Sequence, residues 1–221
     1  MMNVAENLLK IKSGIPDNVT LVAVSKTKPN ELIEQAYQTG QRIFGENKVQ
    51  EMVDKHQSLP KDIQWHLIGH LQTNKVKYIA PFVSLIHAVD SLKLLKEINK
   101  QALKNNRTIH VLLQFHIAKE STKFGLNYNE AKELLNQLPN LNLNNIKIVG
   151  VMGMATFTDD TTQVRHEFKT LHQFFTSIKE QFFKDDSFFK EISMGMSGDY
   201  QIAIEEGSTM VRIGSSIFGS R

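Results

Sequence analysis

Leu21-Val22-Ala23-Val24-Ser25-Lys26-Thr27-Lys28-Pro29 is a short apolar run followed by a lysine and closed by a proline. Small and β-branched residues in such a run predict a buried strand, and Pro29 ends its pairing and opens a helix. An ammonium placed where a buried strand ends is costly unless it finds a partner. Lys26 is therefore either a lysine whose stem snorkels at a strand end, or a partly desolvated amine that forms a Schiff base with a carbonyl compound. The remainder of the chain bears on that choice.

The same unit recurs outward from this stretch. Apolar runs predict strands at residues 21–25, 42–45, 65–69, 85–89, 110–116, 147–152, 192–194 and 210–213. Helical spacing fills the intervals: Leu32, Ile33, Ala36 and Tyr37 share one face, and Val49, Met52 and Val53 another. Leu95, Ile98 and Ala102 follow a helix start at Ser91, and Asn127 with Glu130 forms a capping pair before Ala131, Leu134, Leu135 and Leu138. Val164, Phe168, Leu171, Phe175, Ile178 and Phe182 trace the longest helix as a core stripe. Strands alternating with helices imply a parallel sheet, and eight units in 221 residues fit a single α/β domain, a closed (β/α)8 TIM barrel over 1–221. Val4, Leu8 and Ile11 mark an amphipathic helix within residues 1–14. An open doubly wound sheet is the alternative, but it usually brings a Gly-rich dinucleotide turn, and no G-x-G-x-x-G follows the first strand.

Charge is nearly balanced, 26 basic against 23 acidic residues, and the basic ones form no stripe, so a nucleic-acid partner is not expected. The absence of cysteine excludes disulfides and thiolate metal sites and fits a cytoplasmic protein. No apolar stretch approaches the ~18 residues of a membrane span, so no membrane partner is expected. Metal use is disfavoured as well: there is no H-E-x-x-H, His66 and His70 flank a strand end, and His166 and His172 are spaced to lie on different helix faces.

In a barrel of this kind function sits at the C-terminal strand ends, with phosphate groups favouring the loops after the last two strands. Here those loops read Ser193-Met194-Gly195-Met196-Ser197-Gly198-Asp199 and Val211-Arg212-Ile213-Gly214-Ser215-Ser216-Ile217-Phe218-Gly219. Glycine beside serine lets backbone N–H groups approach an anion while hydroxyls donate to it. A helix from about Asp199 is expected to aim its positive end at the same place. Either loop alone reads as an ordinary turn; together, opposite Lys26, they point to a phosphate.

Four blocks then carry a resemblance: Val24-Ser25-Lys26-Thr27; Phe44-Gly45-Glu46-Asn47-Lys48-Val49-Gln50-Glu51; Trp65-His66-Leu67-Ile68-Gly69-His70-Leu71-Gln72-Thr73-Asn74-Lys75; and Gly207-Ser208-Thr209-Met210-Val211-Arg212-Ile213-Gly214. In order and spacing the chain resembles the pyridoxal phosphate homeostasis protein family, itself similar to the barrel half of fold-type III enzymes such as alanine racemase. The resemblance implies that Lys26 holds pyridoxal 5′-phosphate as a Schiff base. It implies that Ser197 donates to the phosphate with the N–H groups of Gly214 and Ser215, that Arg212 faces the pyridine nitrogen, and that Asn47 borders the ring. His87, Asp90 and Lys123 are candidates for the mouth, with a purely structural role as the alternative. The turn Ser197-Gly198-Asp199-Tyr200 departs from the family pattern, which leads one to expect a bulkier acidic or polar residue at 198 and methionine at 200.

An arginine at the ring nitrogen disfavours its protonation and weakens the electron sink that carbanion chemistry needs. Racemisation also needs a second acid–base group on the opposite face, supplied in the racemase-like enzymes by a second domain. The sequence ends at Arg221, soon after the last strand, so no such group is expected. The expectation is a monomeric cytoplasmic protein that stores, buffers or delivers the cofactor, with little turnover; hand-over to apoenzymes by direct contact is a further reading. A racemase or decarboxylase of amino acids is the alternative.

Overall fold

The computed structural model describes residues 3–120 and 124–219. Eight strands form one closed barrel in sequence order: β1 (Thr20–Val24), β2 (Ile43–Glu46), β3 (Gln64–Leu67), β4 (Leu85–Val89), β5 (Ile109–Phe115), β6 (Ile146–Gly153), β7 (Glu191–Ser193) and β8 (Met210–Ile213). Every neighbouring pair is parallel, and β8 pairs with β1 (Leu21 opposite Val211, Ala23 opposite Ile213), which removes the open-sheet alternative. Outside run α1 (Val4–Ser13), α2 (Asn30–Gln38), α3 (Val49–Ser58), α4 (Val76–Ile79), α5 (Leu92–Lys104), α6 (Tyr128–Gln137), α7 (Thr161–Phe182), α8 (Tyr200–Glu205) and α9 (Ser215–Phe218). Among the described residues no helix is long and apolar enough to cross a membrane.

Local chemistry sets the helix starts. Asn127 accepts from Glu130 N at 3.0 Å while its own N–H donates to the Glu130 carboxylate at 2.8 Å, a full capping box for α6. Ser91 caps α5 through Leu94 N at 3.4 Å. The apolar stripe of α7 packs as expected: Val164, Phe168, Leu171, Phe175 and Ile178 are all buried.

Strand periodicity divides the core into two layers. Along β1, Leu21 and Ala23 join the layer between barrel and helices, whereas Val22 turns inward onto Leu85, Leu112, Val149, Met152 and Met210. A register shift between Ile86 and Val89 makes β4 irregular. Ala88 packs with the inner layer, and the neighbouring His87 makes its contacts there too. Two boundaries differ from the sequence expectation in a way that matters. β1 stops at Val24, so Ser25 and Lys26 already belong to the turn, and β3 stops at Leu67 rather than at Gly69.

Candidate functional site

A cavity of about 440 Å³ opens at the C-terminal end of the barrel. Lys26, Asn47, Ser197, Arg212, Gly214 and Ser215, contributed by four different strand ends, all line it. The walls also include Ile68, Met154, Thr156 and Phe157, and the stretch from Met154 to Asp159 after β6 was not foreseen. Its signal was available, since it occupies the same post-strand position as the loops that were read. Buried Glu167 on α7 ties this loop down, accepting from Thr156 N at 2.6 Å and Thr156 Oγ1 at 2.7 Å.

Lys26 is half-buried, and among the described residues its Nζ has no hydrogen-bond or ion-pair partner. Ser197 Oγ accepts from Gly214 N at 3.2 Å, which joins the loops after β7 and β8. The N–H of Gly214, expected to face an anion, is therefore already engaged, while the hydroxyl hydrogen of Ser197 stays available. The turn before Ser197 needs a glycine: Gly195 has φ +95°, and a Cβ there would stand 2.6 Å from Ala203 Cβ. α8 does start at the cavity, but it has six residues, and the Asp199 carboxylate at its N-cap turns back to accept from Met196 N at 2.5 Å and makes no capping bond to the helix.

The segment after β3 passes close against Asn47, which lines the cavity; a Cβ on Gly69 would lie 2.4 Å from Asn47 O. Its Oδ1 is buried without a partner. A bare acceptor on a cavity wall is a vacancy that a donor on a bound molecule can fill.

Arg212, 3 % exposed, forms the floor. One terminal nitrogen donates to Ser193 Oγ at 2.6 Å and the other to Gly153 O at 3.0 Å, so the guanidinium is held from below. Burial lowers its pKa to about 10, opposed by the charge of Asp199, and it remains a cation at neutral pH. The contacts continue inward: Ser193 Oγ lies 3.0 Å from His87 Nδ1, and His87 Nε2 lies 3.0 Å from His66 Nδ1. A guanidinium only donates, so Ser193 accepts from it; in the tautomer in which Ser193 gives its own hydrogen to His87 Nδ1, His87 donates through Nε2 to His66 Nδ1. His87 thus lies beneath the mouth, fully buried in the barrel, and does not line the cavity. Asp90 is also off the cavity wall, 3.6 Å from His70 Nδ1, and Lys123 lies outside the described residues. Ser193, which positions Arg212, was missed: a serine inside a three-residue strand carries no signal until its neighbours are known.

These residues suit a small phosphorylated aromatic aldehyde. They supply an amine without a partner, a hydroxyl beside the two glycine-serine loops, a fixed cation and an unsatisfied amide oxygen. No group of three or more metal-ligating side chains occurs among the described residues.

Comparison with known proteins shows the family and the fold. Residues 1–221 match the family described as alanine racemase, N-terminal domain. The chain is 38 % identical over 231 residues to the pyridoxal phosphate homeostasis protein of Aquifex aeolicus, covering 100 % of this chain and 99 % of that one. It is 36 % identical over 241 residues to the protein of that name from Escherichia coli K12, covering 100 % and 98 %. The structure of PipY of Synechococcus elongatus with pyridoxal phosphate bound superposes with a TM-score of 0.87 at 34 % identity, covering 98 % and 100 %. Alanine racemase of Clostridium difficile matches at a TM-score of 0.81 over 57 % of its length, and at 16 % identity this shows a shared fold.

Proposed function

Since the chain belongs to the pyridoxal phosphate homeostasis protein family, within the wider alanine racemase N-terminal-domain family, we propose that it binds pyridoxal 5′-phosphate in the mouth cavity and serves intracellular storage, buffering or delivery of that cofactor. When bound, the cofactor supplies an aldehyde for imine formation and a pyridine ring that withdraws electrons. Lys26 Nζ condenses with the aldehyde and releases water, leaving a Schiff base. The Ser197 hydroxyl and the Ser215 N–H receive the phosphate, Asn47 borders the ring, and Arg212 faces the ring nitrogen. The single observation that supports this most is the convergence of these residues on one cavity from four strand ends.

Holding rather than turnover is part of the proposal. Arg212 is a cation fixed by two hydrogen bonds, and such a group opposes protonation of a ring nitrogen beside it. Among the described residues no histidine, tyrosine or cysteine lines the cavity; besides Lys26 and Arg212 its titratable side chains are Lys28, which donates to Gly219 O at 2.9 Å, Asp199, which accepts from Met196 N at 2.5 Å, and the exposed Asp159. The protein acts as a single cytoplasmic domain and a monomer, and passes the cofactor to apoenzymes that depend on it.

Borohydride reduction of the loaded protein, followed by peptide mapping, is expected to place a pyridoxyl label on Lys26, and Lys26→Ala is expected to lose it. A label chiefly on another lysine overturns the assignment. Solvent deuterium appearing at Cα of added alanine at enzyme-like rates would favour an amino-acid racemase instead.

A further inference from the structure

Behind Lys26, on the helix side of the barrel wall, lies a buried ionic cluster that the cofactor site does not use. Lys55 of α3, 5 % exposed, donates from Nζ to Glu46 Oε1 at 2.8 Å, to Glu51 Oε1 at 2.7 Å and to the backbone oxygen of Ser25 at 2.8 Å. All three ammonium hydrogens are thereby used. Glu46 Oε1 also accepts from Ser25 Oγ at 2.6 Å, and Glu51 Oε1 from Thr27 N at 2.5 Å.

These contacts converge on Ser25 and Thr27, the two neighbours of Lys26. A buried ion pair that served only neutrality needs one partner for each charge and no backbone. Here two carboxylates and an ammonium grip the peptide groups on both sides of one residue. The backbone they grip is strained: Thr27 has φ +63°, a left-handed conformation that a β-branched residue rarely adopts. Such a turn persists only when its surroundings over-determine it.

We propose that Lys55, together with Glu46 and Glu51, is the positioning device for Lys26: it clamps the strained Ser25–Thr27 backbone so that the Lys26 amine stays within covalent reach of an aldehyde held in the cavity. This rests on the reading of Lys26 as the covalent attachment point. The clamp acts on imine formation, in which the amine nitrogen attacks the aldehyde carbon and water leaves. Its hydrogen bonds go to Ser25 and Thr27 and not to the phosphate loops, which Gly214 N and Ser197 Oγ join at the β7 and β8 ends.

The test compares an aldehyde with the matching alcohol. Pyridoxal 5′-phosphate reports covalent capture through its visible absorbance and borohydride-trapped label. Pyridoxine 5′-phosphate, which lacks the aldehyde, reports noncovalent holding by equilibrium dialysis. Lys55→Met is expected to slow capture about tenfold or more, because small misplacement of a reacting group carries a large rate cost, while alcohol affinity stays within about twofold. Glu51→Gln, which leaves the Glu46–Lys55 pair in place, is expected to slow capture about threefold or more and serves if Lys55→Met fails to fold. A folded Lys55→Met or Glu51→Gln protein that captures aldehyde at the parental rate overturns the inference. So does equal loss for aldehyde and alcohol, which marks a merely structural role. Absence of reducible label on Lys26 in the parent overturns the covalent reading and this inference with it; label in the parent and unchanged capture in the variants overturns the inference alone.

Discussion

Two buried polar networks flank the mouth of this barrel, and they are built from opposite chemistry. Outside the wall, under Lys26, Glu46, Lys55 and Glu51 form a cluster of full charges. Inside the barrel, under Arg212, His66, His87 and Ser193 form a chain of neutral groups. Burial lowers the His66 pKa to about 3 and pushes His87 well below the usual histidine range, with His66 and the Arg212 cation adding to the effect on His87. Burial also acts on Glu46, raising its carboxyl against the pull of Lys55, and its Oε2 has no partner. The difference teaches where charge can be kept. Between wall and helix, side chains from two elements meet as ion-pair partners. Among Val22, Leu85, Leu112 and Met152 the single cation takes neutral acceptors, and the histidines that follow stay uncharged.

Breaking the charged network should have the largest effect. Lys55→Met leaves Glu46 buried with only a serine partner, and a loss of about 3–5 kcal/mol in unfolding free energy is expected from denaturant titration. A loss below about 1 kcal/mol would show that the cluster is solvated like a surface pair.

Acid should separate the networks by sign. An unfolded histidine binds a proton near pH 6.5, whereas folded His66 resists until about pH 3. Between those values the unfolded chain binds more protons. The histidine contribution is therefore full above pH 6.5 and is lost as pH falls, at up to about 1.4 kcal/mol per pH unit for each histidine. Glu46 works the other way, because its folded carboxyl keeps a proton at higher pH than the unfolded one near 4.5. Its contribution is full below pH 4.5 and is lost as pH rises through the folded value. Thermal melts across pH are expected to show a flatter acid limb in His87→Gln and a steeper one above pH 4.5 in Glu46→Gln. Parallel profiles for both variants and the parent would contradict the contrast.

The smaller effects concern the cavity itself. Ser197→Ala removes one charge-assisted donor to a phosphate, worth roughly 1.5–3 kcal/mol or about a ten- to hundredfold weaker affinity by equilibrium dialysis. No change would move the phosphate away from Ser197. Ser193→Ala leaves an Arg212 N–H and His87 Nδ1 unpaired, and about 1–3 kcal/mol of stability is expected to go with it. If the cofactor's visible spectrum is also unaltered in that variant, Arg212 does not depend on Ser193 for its place.

Much of this molecule is local chemistry and therefore legible in its sequence. The eight strands follow from short apolar runs, the capping box of α6 from Asn127 and Glu130 three apart, and the stripe of α7 from helical spacing, because each depends on neighbours along the chain. Lys26 stands out because an ammonium at the end of a buried strand is costly, and the two glycine-serine loops because barrel strands deliver function at one end. What only the tertiary structure decided is how distant side chains meet. Ser193 reaches His87 across 106 residues, His87 reaches His66 across 21, and Lys55 reaches Ser25 across 30. Those contacts depend on strand register, on the irregular pairing of β4 and on the docking of α3 against the wall, and periodicity encodes none of them. The left-handed Thr27 was equally hidden, since a threonine adopts that backbone only where surroundings such as Glu51 and Lys55 hold it there.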